Sequence, residues 1–243
     1  MGTLRGLVFY CGYTFVTIAW GTVSVVVAWA LPFRARFSFI IGVWSRFVLF
    51  WLRLTCGINH TVTGLDRLPD SACIVLVQHQ STWETAMVQT LFAPSATLIK
   101  KELLHIPFFG WAFRLLRPIA IDRKASRKAL KTLIDEGSAR LEDGQWVVLF
   151  PEGTRRPVGE VGNFQMGGAA LSRASGIPIV VVAHNAGQLW PAHVFQKYPG
   201  TIQAEISPPF YPEGKSTKEI NLTCRNWLVE TSRLLTNKSD AST

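Results

Sequence analysis

Ile74-Val75-Leu76-Val77-Gln78-His79-Gln80-Ser81-Thr82-Trp83-Glu84 changes character twice within a short span. It opens on four apolar, mostly β-branched residues, a run that reads as a strand buried on both faces. A polar turn follows. Ser81-Thr82-Trp83-Glu84 then has the form of a capping box opening a helix. Strand, short turn and helix together make the repeating unit of an α/β sheet, and the turn lies beyond the carboxyl end of the strand, where such sheets bind ligands. His79 stands in that turn.

The same order recurs at Val147-Val148-Leu149-Phe150-Pro151-Glu152-Gly153-Thr154-Arg155. Working outward, candidate strands fall at residues 60–63, 73–77, 96–99, 119–121, 146–150, 179–183 and 202–206. Candidate helices fall at 82–92, 109–115, 127–142, 167–174 and 217–236. Alternation of this kind predicts an α/β fold with a largely parallel sheet flanked by helices, spanning residues 59–236. Residues 237–243 are polar and read as a frayed tail. No internal repeat is evident.

The first 58 residues differ in kind. Residues 4–33 are almost continuously apolar, with Arg5 the only charge, which exceeds the roughly 20 residues needed to cross a bilayer. Ala28-Trp29-Ala30 has the form of a signal-peptidase site, but the run is about twice an ordinary signal h-region. A retained anchor is therefore expected. Arg34 and Arg36 follow it and favour a cytoplasmic position for what comes next. A second apolar stretch, 37–58, is interrupted by Arg46 and Arg53. Arginine at mid-bilayer costs about 3 kcal/mol on insertion scales, so a helix lying in the interface is expected, with a hairpin dipping into one leaflet as the alternative. Residues 1–58 thus read as membrane-anchoring helices that hold the remainder on the cytoplasmic side of the inner cell membrane.

A chain of 243 residues allows one catalytic domain plus an anchor, not two domains and an anchor. Its net charge of +9 suits an anionic partner: nucleic acid, an anionic bilayer or a phosphorylated substrate. Cys11, Cys56, Cys73 and Cys224 form no CxxC pair and do not cluster with histidines, which argues against a zinc site and against a disulfide framework. No metal-binding pattern is present.

A neutral histidine at a strand end can take a proton from an alcohol, and a nearby carboxylate can fix its tautomer and stabilise the imidazolium. Glu84 is the candidate carboxylate for His79. On one regular helix, residues five apart point about 140° away from each other. The pair can therefore meet only if His79 lies in the turn and reaches back over the first helical turn; otherwise Glu84 merely completes the capping box. In the second turn, Gly153 lets backbone approach a ligand closely, Thr154 adds a hydroxyl, and Arg155 offers a planar fork suited to phosphate. The competing reading is an ordinary Pro-Glu-Gly turn with a solvated arginine. Lys100 and Arg123 each follow a predicted strand, so both can converge on the sheet end that carries His79. Lys124, Arg127, Lys128 and Lys131 read as a solvated helix face or a lipid-headgroup contact.

Taken together and in this order, these stretches resemble the 1-acyl-glycerol-3-phosphate acyltransferases, within the glycerolipid acyltransferase family. His79-Gln80-Ser81-Thr82-Trp83-Glu84 is similar to the family's HX4D motif, with Glu for Asp. Phe150-Pro151-Glu152-Gly153-Thr154-Arg155 matches FPEGTR residue for residue. Lys100-Lys101-Glu102-Leu103 with Pro107, Gly110 and Ile121-Asp122-Arg123 resembles the block between them, and Gly176-Ile177-Pro178-Ile179-Val180 the fourth block. The resemblance covers roughly residues 60–210.

The resemblance implies a mixed, largely parallel sheet and transfer of a fatty acyl group from acyl-CoA or acyl carrier protein to the sn-2 hydroxyl of 1-acyl-sn-glycerol-3-phosphate. His79 would be the general base and Glu84 its orienting carboxylate. Lys100, Arg123, Glu152, Gly153, Thr154 and Arg155 would bind the acceptor. Neither cofactor nor metal is implied; the partners are a lysophospholipid, the acyl donor and membrane lipids, with no nucleic acid. The chain departs from the family pattern at Glu84, at Gln165 where Lys often follows the Phe, at Arg117-Pro118 where Gly is common, and at Val181 where a second Pro is common. These departures leave another lysophospholipid or a lyso-aminolipid open as acceptor. A non-catalytic membrane protein that binds anionic lipid is the alternative of a different class, and the coexistence of His79, Glu84 and Arg155 argues against it.

Overall fold

The computed structural model describes residues 2–122 and 125–240, the last three as backbone only. All seven expected strands are present: β1 Ile58–Thr63, β2 Ile74–Val77, β3 Ser95–Lys100, β4 Ile119–Ile121, β5 Trp146–Leu149, β6 Ile179–His184 and β7 Gly200–Ile206. They form one sheet in the order β1-β7-β6-β2-β5-β3-β4. Five neighbouring pairs are parallel, and β6–β7 alone is antiparallel.

The unbroken apolar runs in the central strands follow from burial on both faces. Side chains alternate across the sheet. Ile74 and Leu76 of β2 join Val147, Leu149, Ile179 and Val181 in one cluster. It packs against α6 (Ser126–Glu142), α7 (Gly167–Ser175) and α9 (Thr217–Asp240). Val75 and Val77 join Val148, Val180 and Val182 on the other face. That face meets α4 (Trp83–Leu91), α5 (Phe109–Arg114) and the N-terminal helices. One short helix, α8 (Ala186–Leu189), has no counterpart among the expected elements, because four residues are too few to show a period.

The N-terminal region is a helical hairpin. α1 spans Gly2–Val27 and continues as a 3-10 turn through Ala30. Helix resumes at Phe33 as α2 (Phe33–Phe37), passes through a π-helical stretch at Ser38–Gly42, and runs on as α3 (Val43–Cys56). The expected gap between the two apolar stretches shrinks to Leu31-Pro32. Pro32 cannot continue a helix but is well suited to the position before one begins. Arg34 and Arg36 therefore lie within the second helix rather than between the two. Arg36 turns back and donates to the carbonyls of Ala28 (3.0 Å), Trp29 (3.2 Å) and Leu31 (2.9 Å), the first of which also accepts the Leu31 amide, and so ties down the end of the first helix.

Tryptophan indoles staple the hairpin. Trp51 donates to the Phe9 carbonyl at 3.1 Å, Trp44 to the Thr17 hydroxyl at 3.0 Å, and Trp20 to the Phe39 carbonyl at 3.0 Å. Gly12 makes the approach possible, since a Cβ there would fall 2.4 Å from the Trp51 Nε1. Both helical runs, Gly2–Ala30 and Phe33–Cys56, are long and apolar enough to cross a membrane. Phe15, Val26, Trp29, Phe50 and Leu54 are all at least 60% exposed on their outer side. The inner side is core: Phe9, Ala28, Phe37 and Leu52 are buried, and Phe9 meets the α/β body edge-on at Trp190, 5.0 Å between centroids. Lys197, also buried, places its ammonium 3.7 Å from the Tyr10 ring centroid and 5.0 Å from that of Trp190, a cation–π clasp between α1 and the loop after α8.

Candidate active site

Four adjacent parallel strands, β6-β2-β5-β3, end at the same edge of the sheet. They deliver His184, His79, the Glu152–Arg155 turn and Lys100 side by side. Two of these turns are tied together. Arg156 N–H donates to the His79 carbonyl at 2.8 Å, and the Arg155 Nε to the Ser81 carbonyl at 2.7 Å. Gly153 adopts φ of 71°, a left-handed conformation that L side chains resist, and its amide closes the turn onto the Phe150 carbonyl at 3.0 Å. The Phe150 ring stacks on the His79 imidazole, with centroids 4.3 Å apart.

His79 lies in the turn and reaches back over the start of α4. Its Nδ1 is 2.8 Å from Glu84 Oε1. The same oxygen accepts the backbone amides of Gln80 (3.2 Å) and Ser81 (2.9 Å). The two readings of Glu84 are thus one arrangement: a single carboxylate oxygen caps the helix and holds the imidazole. An ionised carboxylate only accepts, so Nδ1 carries the proton and Nε2 keeps its lone pair. Nε2 has no hydrogen-bond partner among the described residues. Burial raises the Glu84 pKa, but the His79 hydrogen bond, the electrostatic pull of the two neighbouring imidazoles and the Ser81 amide outweigh it, holding the carboxyl below its ordinary value.

His79 opens onto a cavity of about 420 Å³. Lys100, Gly153, Thr154 and Arg155 line it on the polar side. Tyr13 of α1, Ile41 and Trp44 of the second helical run, and Phe109 and Phe113 of α5 line it on the apolar side. The structure therefore brings His79, Lys100, Gly153, Thr154 and Arg155 into one cavity, with Glu84 directly behind the histidine. Glu152, expected as an acceptor-binding residue, does not line it. Its Oε1 accepts the His79 amide at 3.1 Å and its Oε2 the Gly162 amide at 2.9 Å, so the carboxylate braces the two turns from behind. Burial raises its pKa, and the two amides counter this only in part. Arg123 lies outside the described residues. Lys101, beside Lys100, is paired with Asp122. Among the described residues no group of three or more His, Cys, Asp or Glu could hold a metal ion.

Residues 59–185 match the protein-family model described as Acyltransferase. The chain is also 45% identical over 231 residues to the 1-acyl-sn-glycerol-3-phosphate acyltransferase of Pseudomonas aeruginosa, covering 94% of this chain and 90% of that one. The chain belongs to the 1-acyl-sn-glycerol-3-phosphate acyltransferase family. A more distant relative of the same description, from Saccharomyces cerevisiae, is 33% identical over 145 residues, 57% of this chain and 47% of its own. The crystal structure of the 1-acyl-sn-glycerophosphate acyltransferase from Thermotoga maritima has the same fold, with a TM-score of 0.80 over 97% of this chain and 96% of that one at 23% identity.

For this acyltransferase, one departure from the family pattern has a visible backbone consequence. Arg117 adopts φ of 56°, a left-handed conformation that glycine takes without strain. Two further histidines reach the site from places that no motif marks. His193 lines the cavity from the loop after α8, with φ of 60°. His184 is buried at the end of β6, 3.9 Å from Glu84 Oε2. No spacing from a motif marks either one, because the fold alone brings them in.

Proposed function

We propose that this acyltransferase esterifies the sn-2 hydroxyl of 1-acyl-sn-glycerol-3-phosphate with an acyl group from acyl-CoA or acyl carrier protein, giving phosphatidic acid. The observation that carries the reading is the shared cavity: the free Nε2 of His79 and the guanidinium of Arg155 open onto one space. His79 Nε2 takes the hydroxyl proton, and Glu84 stabilises the resulting imidazolium. General-base assistance of this kind contributes about 10²- to 10⁴-fold. The acceptor oxygen attacks the thioester carbonyl, the tetrahedral intermediate expels the thiolate, and the imidazolium returns its proton to the leaving sulfur. Arg155 and Lys100 hold the phosphate, with Thr154 and the Gly153 backbone shaping its seat. The apolar wall takes the hydrocarbon part of a lipid.

The helical hairpin is placed in one leaflet, on the cytoplasmic face of the inner membrane. Tyr13, midway along α1, borders the same cavity as His79. If α1 crossed the bilayer upright, Lys100 and Arg155 would be carried to its centre, at about 3 kcal/mol for each cation. Lying flat, the hairpin keeps the cations at headgroup level.

Initial rates with labelled acyl-CoA and a panel of lysolipids test the assignment. The expected outcome is a preference for the phosphate-bearing acceptor and loss of transfer in folded His79→Ala. Near-normal turnover in that variant removes the base. Equal rates with a headgroup lacking the phosphate remove the acceptor.

A further inference from the structure

His184 ends β6 with its side chain fully buried, and the reaction as derived gives it no part. The five residues before it in β6 are apolar, so packing alone does not call for an imidazole. Both ring nitrogens are engaged. Nδ1 accepts the Ala186 amide at 3.2 Å, so Nε2 carries the proton and donates it to the Gln78 carbonyl at 2.8 Å.

That carbonyl belongs to the peptide joining Gln78 to His79. The other end of the same peptide, the His79 N–H, donates to Glu152 Oε1 at 3.1 Å. The peptide that presents the base is therefore gripped from both ends. The Gln78 side chain is fixed as well: its Oε1 accepts the His184 amide at 3.1 Å and its Nε2 donates to the Ser232 hydroxyl of α9 at 2.8 Å. The ring also sits close behind the carboxylate, beyond hydrogen-bond reach. His184 Nε2 lies 3.9 Å from Glu84 Oε2, a buried oxygen with no hydrogen-bond partner among the described residues. The Trp83 ring meets His184 edge-on, 5.5 Å between centroids, and also meets His60 of β1 at 5.6 Å.

We propose that His184 is a positioning residue for acyl transfer: it locks the Gln78–His79 peptide and backs the open oxygen of Glu84, so that His79 Nε2 stays aimed into the cavity. This rests on the His79–Glu84 reading above. The ring acts as a neutral donor, because burial keeps it from taking a proton near neutral pH. The titratable groups facing it are Glu84 from α4 and His79 from the turn; His60 meets the Trp83 ring.

The test compares wild type with His79→Ala, His184→Phe and His184→Gln in full-length enzyme, each checked for folding by circular dichroism. His184→Phe keeps the ring's bulk and removes its donor. Its kcat is expected to fall about 10- to 100-fold, the range for a mispositioned catalytic group, with the acceptor KM within about twofold. The acid limb of its kcat/KM profile is expected to move to lower pH, because a loosened Glu84 stabilises the imidazolium less. His184→Gln restores an N–H near the position of Nε2, and is expected to keep at least about a third of the wild-type kcat. Should His184→Phe fail to fold, His184→Asn replaces it, since its N–H falls near the Nδ1 position and cannot reach the same carbonyl. Unchanged kcat and acid limb in folded His184→Phe, or an equal loss in His184→Gln, overturns the positioning role. An active His79→Ala would instead overturn the dyad itself, so the two failures are distinguishable.

Discussion

Glu84→Gln separates the two duties of one oxygen. Its side-chain carbonyl can still accept the Gln80 and Ser81 amides and the His79 Nδ1–H, so the helix start and the tautomer survive; what disappears is the negative charge. In the wild type the carboxylate is fully buried and its Oε1 lies 2.8 Å from Nδ1, placing the charge centres about 4 Å apart when His79 is protonated. At an effective dielectric constant of about 20 that attraction is worth ~4 kcal/mol. Only the protonated state feels it fully, so the loss falls on the transition state and predicts a drop of about 10³-fold in kcat. The acceptor KM should stay within about twofold, since no substrate contact is removed. Initial rates in detergent micelles across lysophosphatidate concentrations measure both. A Glu84→Gln enzyme within tenfold of wild-type kcat would refute the charge argument, as would a loss expressed wholly in KM. Glu84→Asp provides the opposite perturbation, keeping the charge but falling short by one methylene. Displacement on that scale predicts about 10- to 100-fold.

Arg155→Ala should raise the KM for a phosphate-bearing acceptor about 10-fold or more, as expected for a charge-assisted bidentate contact, while leaving the donor KM near its starting value; rates with the two substrates varied in turn decide it. Thermal unfolding should show a loss of stability below about pH 6.5. Burial depresses the folded pKa of His184, so its contribution is complete above the unfolded value and fades as pH falls and the unfolded chain takes up a proton that the folded one refuses. His184→Gln should show a smaller difference in Tm between pH 7.5 and 5, about those values bracketing the ordinary histidine range, and an equal difference would contradict the assignment. Removing residues 2–32 should abolish activity and lower solubility rather than release a working enzyme, because Phe9 and Ala28 are core and Tyr13 borders the cavity; a soluble, active truncation would contradict this.

The body of the fold was legible because its signals are local. The central strands are continuous apolar runs and the turns after β2 and β5 carry their polar residues at the strand ends, so the sheet and the meeting of His79 with Arg155 could be anticipated. The strand order itself requires long-range pairing that no local pattern encodes, and so does the reversal of β7 against β6. Glu84 looked like a choice between capping and catalysis because spacing cannot show that one oxygen accepts three donors at once. Glu152 looked like a ligand because it sits inside a motif, whereas its orientation is set by the amides of His79 and Gly162. His184 is silent in the sequence: it follows an apolar strand, and only the adjacency of β6 and β2 places it behind the dyad. The hairpin was half legible, since apolar length and arginine placement suggested lipid contact but could not show Gly12 opening a seat for Trp51.

That hairpin has a practical consequence for anyone wishing to handle the enzyme in water. Trimming it away removes one wall of the cavity that His79 opens onto, together with the greasy exterior. The two sides are nevertheless distinct residues: Phe15, Val26, Trp29 and Leu54 point outward, while Phe9, Gly12 and Tyr13 point inward or carry a neighbour. Repainting the outward set with charged side chains, and leaving the inward set untouched, is the route to a detergent-free form that keeps its chamber whole.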